Sequence, residues 1–142
     1  MTPTYIAPEL RRQVAQDAGH RCGYCHSDES LTGISLTMDH IIPVAAGGQT
    51  ERDNLWLACR ACNEFKGART HADDPKTGER ARLFDPRRQT WSEHFVWSTD
   101  QTEVVGLTST GRATAIALQL NRPMLVKARR RWVMSGWQPT PE

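Results

Sequence analysis

Four cysteines in two Cys-x-x-Cys pairs, Cys22 with Cys25 and Cys59 with Cys62, are the residues of this chain whose type and spacing most plainly allow chemistry. Thiolates two residues apart can grip one metal ion from a tight turn, and two such pairs complete a tetrahedral four-cysteine zinc site. The 33 residues between Cys25 and Cys59 exceed the usual ribbon spacing, so something is built inside the loop that zinc would close. Inside it lie Asp39-His40, Gly47-Gly48 and Asp53-Asn54-Leu55, and Asn63 follows Cys62 at once. Imidazole titrates near neutral pH and suits proton transfer, while carboxylate and amide oxygens are hard donors suited to Mg²⁺ or Mn²⁺. In an extended chain Asp39 and His40 point to opposite sides.

Other readings of these residues stay open on spacing alone. Asp39-His40 can be an exposed polar couple at a strand end, Asn54 a turn residue, and Asn63 a solvated amide in a first helical turn. A thioredoxin-like dithiol would account for one cysteine pair and leave the second without a role. Disulfides are disfavoured without a secretory signal. A non-catalytic zinc module binding DNA or protein needs neither Asp39 nor His40.

The elements that position these groups can be read in order. Pro8 suits a first helical turn, Leu10, Val14 and Ala18 share a face and Gly19 is a stop, which predicts a helix over 8–18 with Arg11 and Arg12 outward. Cys22 to Cys25 is a knuckle with Gly23 in its turn, and Asp28 to Gly33 a polar turn. Ile34 to Met38 alternates and reads as a strand leading into Asp39 and His40. Ile41 to Val44 continues extended, Ala45 to Asp53 is a loop with Gly47-Gly48 at its tip, and Asn54 to Ala58 is short and apolar. Cys59 to Lys66 opens a helix that Gly67 ends. The order is strand, strand, helix, with zinc ligands at the knuckle and the helix start.

Beyond Gly67, Asp73 to Gly78 is a turn, and Leu83 to Arg88 carries no assignable pattern. His94–Ser98 and Glu103–Leu107 pair as a hairpin. Thr110 caps a helix over 111–120, Pro123 opens a last helix to Ser135, and Pro139-Thr-Pro-Glu is a frayed end. Trp91 and Trp97 read as core. In the last helix Leu125, Arg129 and Trp132 lie near one face, with Lys127, Arg130 and Arg131 elsewhere.

The chain has 142 residues and a net charge of +2, enough for one domain: a core module at about 20–70 and an extension at about 71–138. That charge is polarised, at +1 over residues 1–21, −3 over 22–67 and +4 over 68–142. The negative centre would bind DNA poorly without a cation, and the basic flanks could supply phosphate contacts. No 18-residue apolar run and no signal-like N-terminus is present, so no membrane span is expected, and the expected location is the cytoplasm, of a bacterium or phage.

Asp39-His40-Ile-Ile-Pro, Gly47-Gly48, Asp53-Asn54-Leu55 and Cys59-Arg-Ala-Cys62-Asn63-Glu-Phe-Lys66-Gly67 resemble an HNH endonuclease of the type buttressed by a four-cysteine zinc. The match is dense over about a third of the chain. The tail, from Asp74-Pro-Lys-Thr-Gly-Glu79 to Gly111-Arg-Ala-Thr114, resembles an extension of bacterial members. The resemblance implies an α+β architecture: a small ββα-metal module with an N-terminal helix and a C-terminal hairpin-plus-helices extension. It implies DNA phosphodiester hydrolysis, on double-stranded DNA, with His40 as general base. One divalent ion, Mg²⁺ or Mn²⁺, would sit on Asp39 and Asn63, and Asn54 would tie the loop that orients His40. Asn63 stands where the family often has a histidine, which makes this a His-Asn-Asn variant. Cys22, Cys25, Cys59 and Cys62 would hold structural zinc, and Lys66 and Arg60 are candidate phosphate contacts.

Overall fold

In the computed structural model, which describes residues 5–139, the chain divides into two compact units, Met1–Thr70 and His71–Glu142. The first four residues and the end from Thr140, where a frayed end was expected, lie outside the described residues. The architecture is α+β, as expected.

The first unit begins with α1 (Pro8–Asp17), whose opening proline has the φ a first turn requires. Val14, spaced for the inner face, is fully buried against Leu55 and Ile6, with Leu10 and Met38 packed around them. Arg11 and Arg12 point outward. The two central strands are β1 (Thr37–His40) and β2 (Leu55–Ala58), antiparallel, with His40 opposite Leu55 and Asp39 opposite Trp56. The helix α3 (Arg60–Lys66) follows directly, and the Cys59 sulfur accepts from the Cys62 amide at its N-terminus.

Three local expectations change. The polar turn after the knuckle is a short helix, α2 (Glu29–Thr32), because the Asp28 carboxylate caps it and Gly33 ends it in the left-handed region. The first strand starts at Thr37 rather than Ile34, which is exposed and lacks a partner strand. In the cysteine knuckle the left-handed residue is His26 (φ 62°), not Gly23, whose amide instead donates to the Leu57 carbonyl.

The second unit holds two hairpins and three helices. β3 (His71–Asp73) pairs with β4 (Arg80–Arg82) around the expected turn. A one-turn helix α4 (Trp91–His94) precedes β5 (Phe95–Trp97), which pairs with β6 (Val104–Gly106). α5 (Ser109–Ala117) is capped by Thr108, two residues earlier than expected, because the Thr108 hydroxyl accepts from the Gly111 amide. Gly111 sits so close to α4 that a Cβ there would fall 2.0 Å from the His94 carbonyl oxygen, so the helix can only pass at a glycine. α6 (Pro123–Met134) packs Leu125 and Arg129 inward. Trp91, Trp97, Trp132 and Trp137 form a chain of ring contacts 5.4 to 5.8 Å apart.

The tail motif that carried no mechanism in the sequence is architecture. Asp74 is fully buried and accepts from both Nε and Nη2 of Arg112, at 2.9 and 2.8 Å, and from the Lys76 amide and Thr77 hydroxyl. Thr114 accepts from the Phe84 amide, which fixes the stretch after β4 on α5. The Asp-Pro-Lys-Thr-Gly turn and the Gly-Arg-Ala-Thr helix start are thus two halves of one lock.

Candidate functional site

The sulfur atoms of Cys22, Cys25, Cys59 and Cys62 all lie within 4.8 Å of one another, with Cys25 and Cys59 3.6 Å apart. A tetrahedral ion with bonds of about 2.3 Å to sulfur spaces its ligands by just under 4 Å, so the cluster can hold zinc. None of the four is in a disulfide. Burial pushes the Cys22 thiol well above its ordinary value, while a hydrogen bond from Cys22 holds Cys25 well below. Four sulfurs this close, three of them buried, cannot all ionise together without a cation among them. No other cluster of three or more His, Cys, Asp or Glu with converging ligand atoms occurs among the described residues, and neighbouring His26 is not part of this one.

The cluster ties the knuckle to the start of α3, and between them β1 delivers Asp39 and His40 to opposite sides, one buried and one half-buried. His40 Nε2 lies 2.9 Å from the Thr50 hydroxyl in a hydrogen bond, and Nδ1 has no partner among the described residues. Burial pulls its pKa below the usual histidine value, opposed by Asp39 and helped by Lys66.

Thr50 belongs to the long loop between the strands, and that loop is held shut by Asn54. The Asn54 amide donates to the Ile42 and Gln49 carbonyls at 3.0 and 2.9 Å, and its oxygen accepts from the Ile42 amide at 2.8 Å. The Ile41 amide donates to the Asn54 carbonyl and extends the strand pairing. Gly48 lies in the crook of this clamp, where a Cβ would fall 1.7 Å from the Ile42 oxygen. Asn54 fixes Gln49, Gln49 precedes Thr50, and Thr50 meets the His40 ring.

Asp39 faces the other way. It is 2% exposed, its Oδ2 accepts from the Tyr24 hydroxyl at 2.6 Å and its Oδ1 from Lys66 Nζ at 3.0 Å. Burial raises its pKa, opposed by Lys66 and Tyr24. Lys66 is itself 1% exposed and also donates to the His40 and Ile41 carbonyls, at 2.9 and 3.1 Å. An ammonium has three protons, and all three are used. Lys66 is thus an internal anchor between α3 and the end of β1, and a phosphate contact there would require these bonds to be given up. Arg60 is exposed and paired with Glu64 one turn on, 3.1 Å away. Asn63 donates through Nδ2 to the Thr37 hydroxyl and the Met38 carbonyl, which leaves Oδ1 without a partner among the described residues.

The structure thus places Asp39 and His40 on opposite sides of β1, Asn63 on α3 against Thr37 and Met38, and Asn54 behind the loop. Sequence reasoning missed Thr50 and Tyr24. Thr50 carries no spacing signal. Tyr24 had one, a large aromatic inside a metal knuckle.

Residues 22–69 match the family model described as HNH endonuclease. A 58-residue stretch is 41% identical to the CRISPR-associated endonuclease Cas9 of Corynebacterium diphtheriae, covering 40% of this chain and 5% of that protein. The chain therefore spans only a small fraction of the length of the curated relative it matches. No solved structure matches it. Over residues 22–69 the chain is similar to HNH endonucleases, and within that stretch lies a four-cysteine cluster that can hold zinc.

Proposed function

We propose that this domain is a metal-dependent endonuclease of the ββα-metal type that hydrolyses phosphodiester bonds of double-stranded DNA, with zinc on Cys22, Cys25, Cys59 and Cys62 as its structural frame. The observation that carries the reading is the His40 ring. One nitrogen is held by Thr50 and the other is left open, in a domain matched to nucleases.

His40 takes the proton from the attacking water at Nδ1. That requires Nε2 to carry the ring proton and donate it to the Thr50 hydroxyl, and the depressed pKa keeps the open nitrogen unprotonated at neutral pH. Asn54 acts through the loop, holding Thr50 where the ring needs it.

The residues on the other side fit a hard divalent ion, Mg²⁺ or Mn²⁺, by donor type: the Asp39 carboxylate and the open Oδ1 of Asn63. When bound, such an ion supplies charge stabilisation at the phosphate and the leaving oxygen. Asp39 would be open to such an ion only with the Lys66 ammonium, which supplies the positive charge at Oδ1, displaced from it.

One observation favours a second reading. Asp39 is closed in by Lys66 and Tyr24, as in a module whose β1–α3 contact serves stability alone and which binds DNA or protein without cutting. Relaxation of supercoiled plasmid with Mg²⁺, Mn²⁺, Zn²⁺ or chelator separates the two. Divalent-dependent nicking supports the nuclease, and intact plasmid under every ion, with DNA still bound, supports the module.

A further inference from the structure

The cations of the HNH unit are largely engaged elsewhere. Lys66 is buried on Asp39, Arg52 pairs with Asp17, Arg12 with Glu9 and Arg60 with Glu64. Residues 1–70 sum to a net charge of −1, and residues 71–142 to +3. Four thiolates with one zinc would add about −2 to the first unit. A polyanionic substrate therefore needs its phosphates met by the second unit.

Within that unit the positive charge is concentrated on α6, which carries Lys127, Arg129, Arg130 and Arg131 and no acidic residue. The four do not act alike. Arg129 is fully buried, donates to the Thr102 carbonyl at 3.0 Å and lies 5.1 Å over the Trp97 ring, so it belongs to the core. Lys127, Arg130 and Arg131 are exposed. Lys127 and Arg131 are one turn apart and border a shallow groove floored by Met124, Ala128 and Trp132. Like charges at that spacing destabilise a helix, and α6 offers no carboxylate to offset them.

Resting on the reading that DNA is the substrate, we infer that the outer face of α6, through Lys127, Arg130 and Arg131, is the surface on which the DNA phosphate backbone docks. Lys127 and Arg131 beside an apolar floor, with Arg130 exposed on the same helix, hold a polyanion by charge and carry no base-reading geometry, so the contact is independent of DNA sequence.

The test is the salt dependence of binding of the full zinc-loaded chain to a short DNA duplex, in a His40→Ala background so that the duplex stays intact. Lys127→Gln, Arg130→Gln and Arg131→Gln together should lower the slope of log affinity against log salt by about 2 to 3, near one unit per lost phosphate contact. The charge-preserving set Lys127→Arg, Arg130→Lys and Arg131→Lys should keep the slope, which separates charge from helix integrity. If the triple variant misfolds, seen as lost zinc or altered tryptophan circular dichroism, Arg131→Gln alone should still lower the slope by about 1. An unchanged slope in a folded variant overturns the proposal. Failure of the nuclease reading is distinct: the chain would bind duplex with the α6-dependent slope yet never nick plasmid.

Discussion

Lys66 Nζ sits 3.0 Å from Asp39 Oδ1 with both side chains under 4% exposed, so the last turn of α3 is pinned to the strand residue beside the candidate base. Removing one member of such a pair leaves an uncompensated buried charge. Lys66→Met should cost about 3–5 kcal/mol and lower the melting temperature sharply. Pairing it with Asp39→Asn should recover part of that loss. Thermal unfolding of the single and double variants checks this, and a Lys66→Met protein of unchanged stability but weakened DNA binding would restore the phosphate-contact role.

Among the described residues, Thr50 is the side chain that hydrogen-bonds the His40 ring. Thr50→Val keeps shape and loses the hydroxyl, so kcat should fall about 10- to 100-fold with KM little changed, because small misplacements of a reacting group are costly. Thr50→Ser should restore activity. Loss in KM alone, or no rescue by serine, would place Thr50 outside the mechanism.

The pKa of His40 is displaced downward, chiefly by burial. A base with a depressed pKa stays unprotonated to lower pH, so the acid limb of kcat/KM should fall below about 6.5, the ordinary histidine value. The sign for stability is the same. The neutral ring favours the folded state above the unfolded pKa, and that contribution is lost as pH falls through the folded one. An acid limb above the ordinary value would contradict this.

Zinc removal should do more than silence the protein. The four cysteines join the knuckle to the start of α3, the two ends of the segment that carries the site. Chelation, or Cys59→Ser, should melt the first unit and release about one zinc per chain, since such binding energy is folding energy. Elemental analysis with circular dichroism measures both, and a folded protein without zinc would refute it.

Arg112→Met should lower the melting temperature and leave the zinc content unchanged. The Arg112 guanidinium holds the Asp74 carboxyl well below the usual range, so the wild-type contribution is present above the ordinary aspartate pKa and fades as acid protonates Asp74. A variant of unchanged stability at neutral pH would remove the pair from the lock between β3–β4 and α5.

Much of this was legible in the sequence because the signals are local. Cys-x-x-Cys spacing, proline at helix starts and the glycine that ends α3 each act within a few residues. Side-chain destinations were not. Lys66 looks like any lysine at a helix end, and only the β1–α3 packing turns it inward onto Asp39, His40 and Ile41. Thr50 became a partner of His40 because Asn54 and Gly48 fold the loop back, which no periodicity announces. The α5 cap moved from Thr110 to Thr108 because Gly111 had to pass the His94 carbonyl.

The central claim is that His40 takes a proton from water at a DNA phosphate. A time course of supercoiled plasmid nicking in Mg²⁺ or Mn²⁺, comparing wild type with His40→Ala at matched zinc content and matched DNA binding, tests it most directly. The prediction is nicking by wild type and a loss of about 10²–10⁴ in rate in the variant, with no rescue by added metal. Equal rates in the two proteins would contradict it.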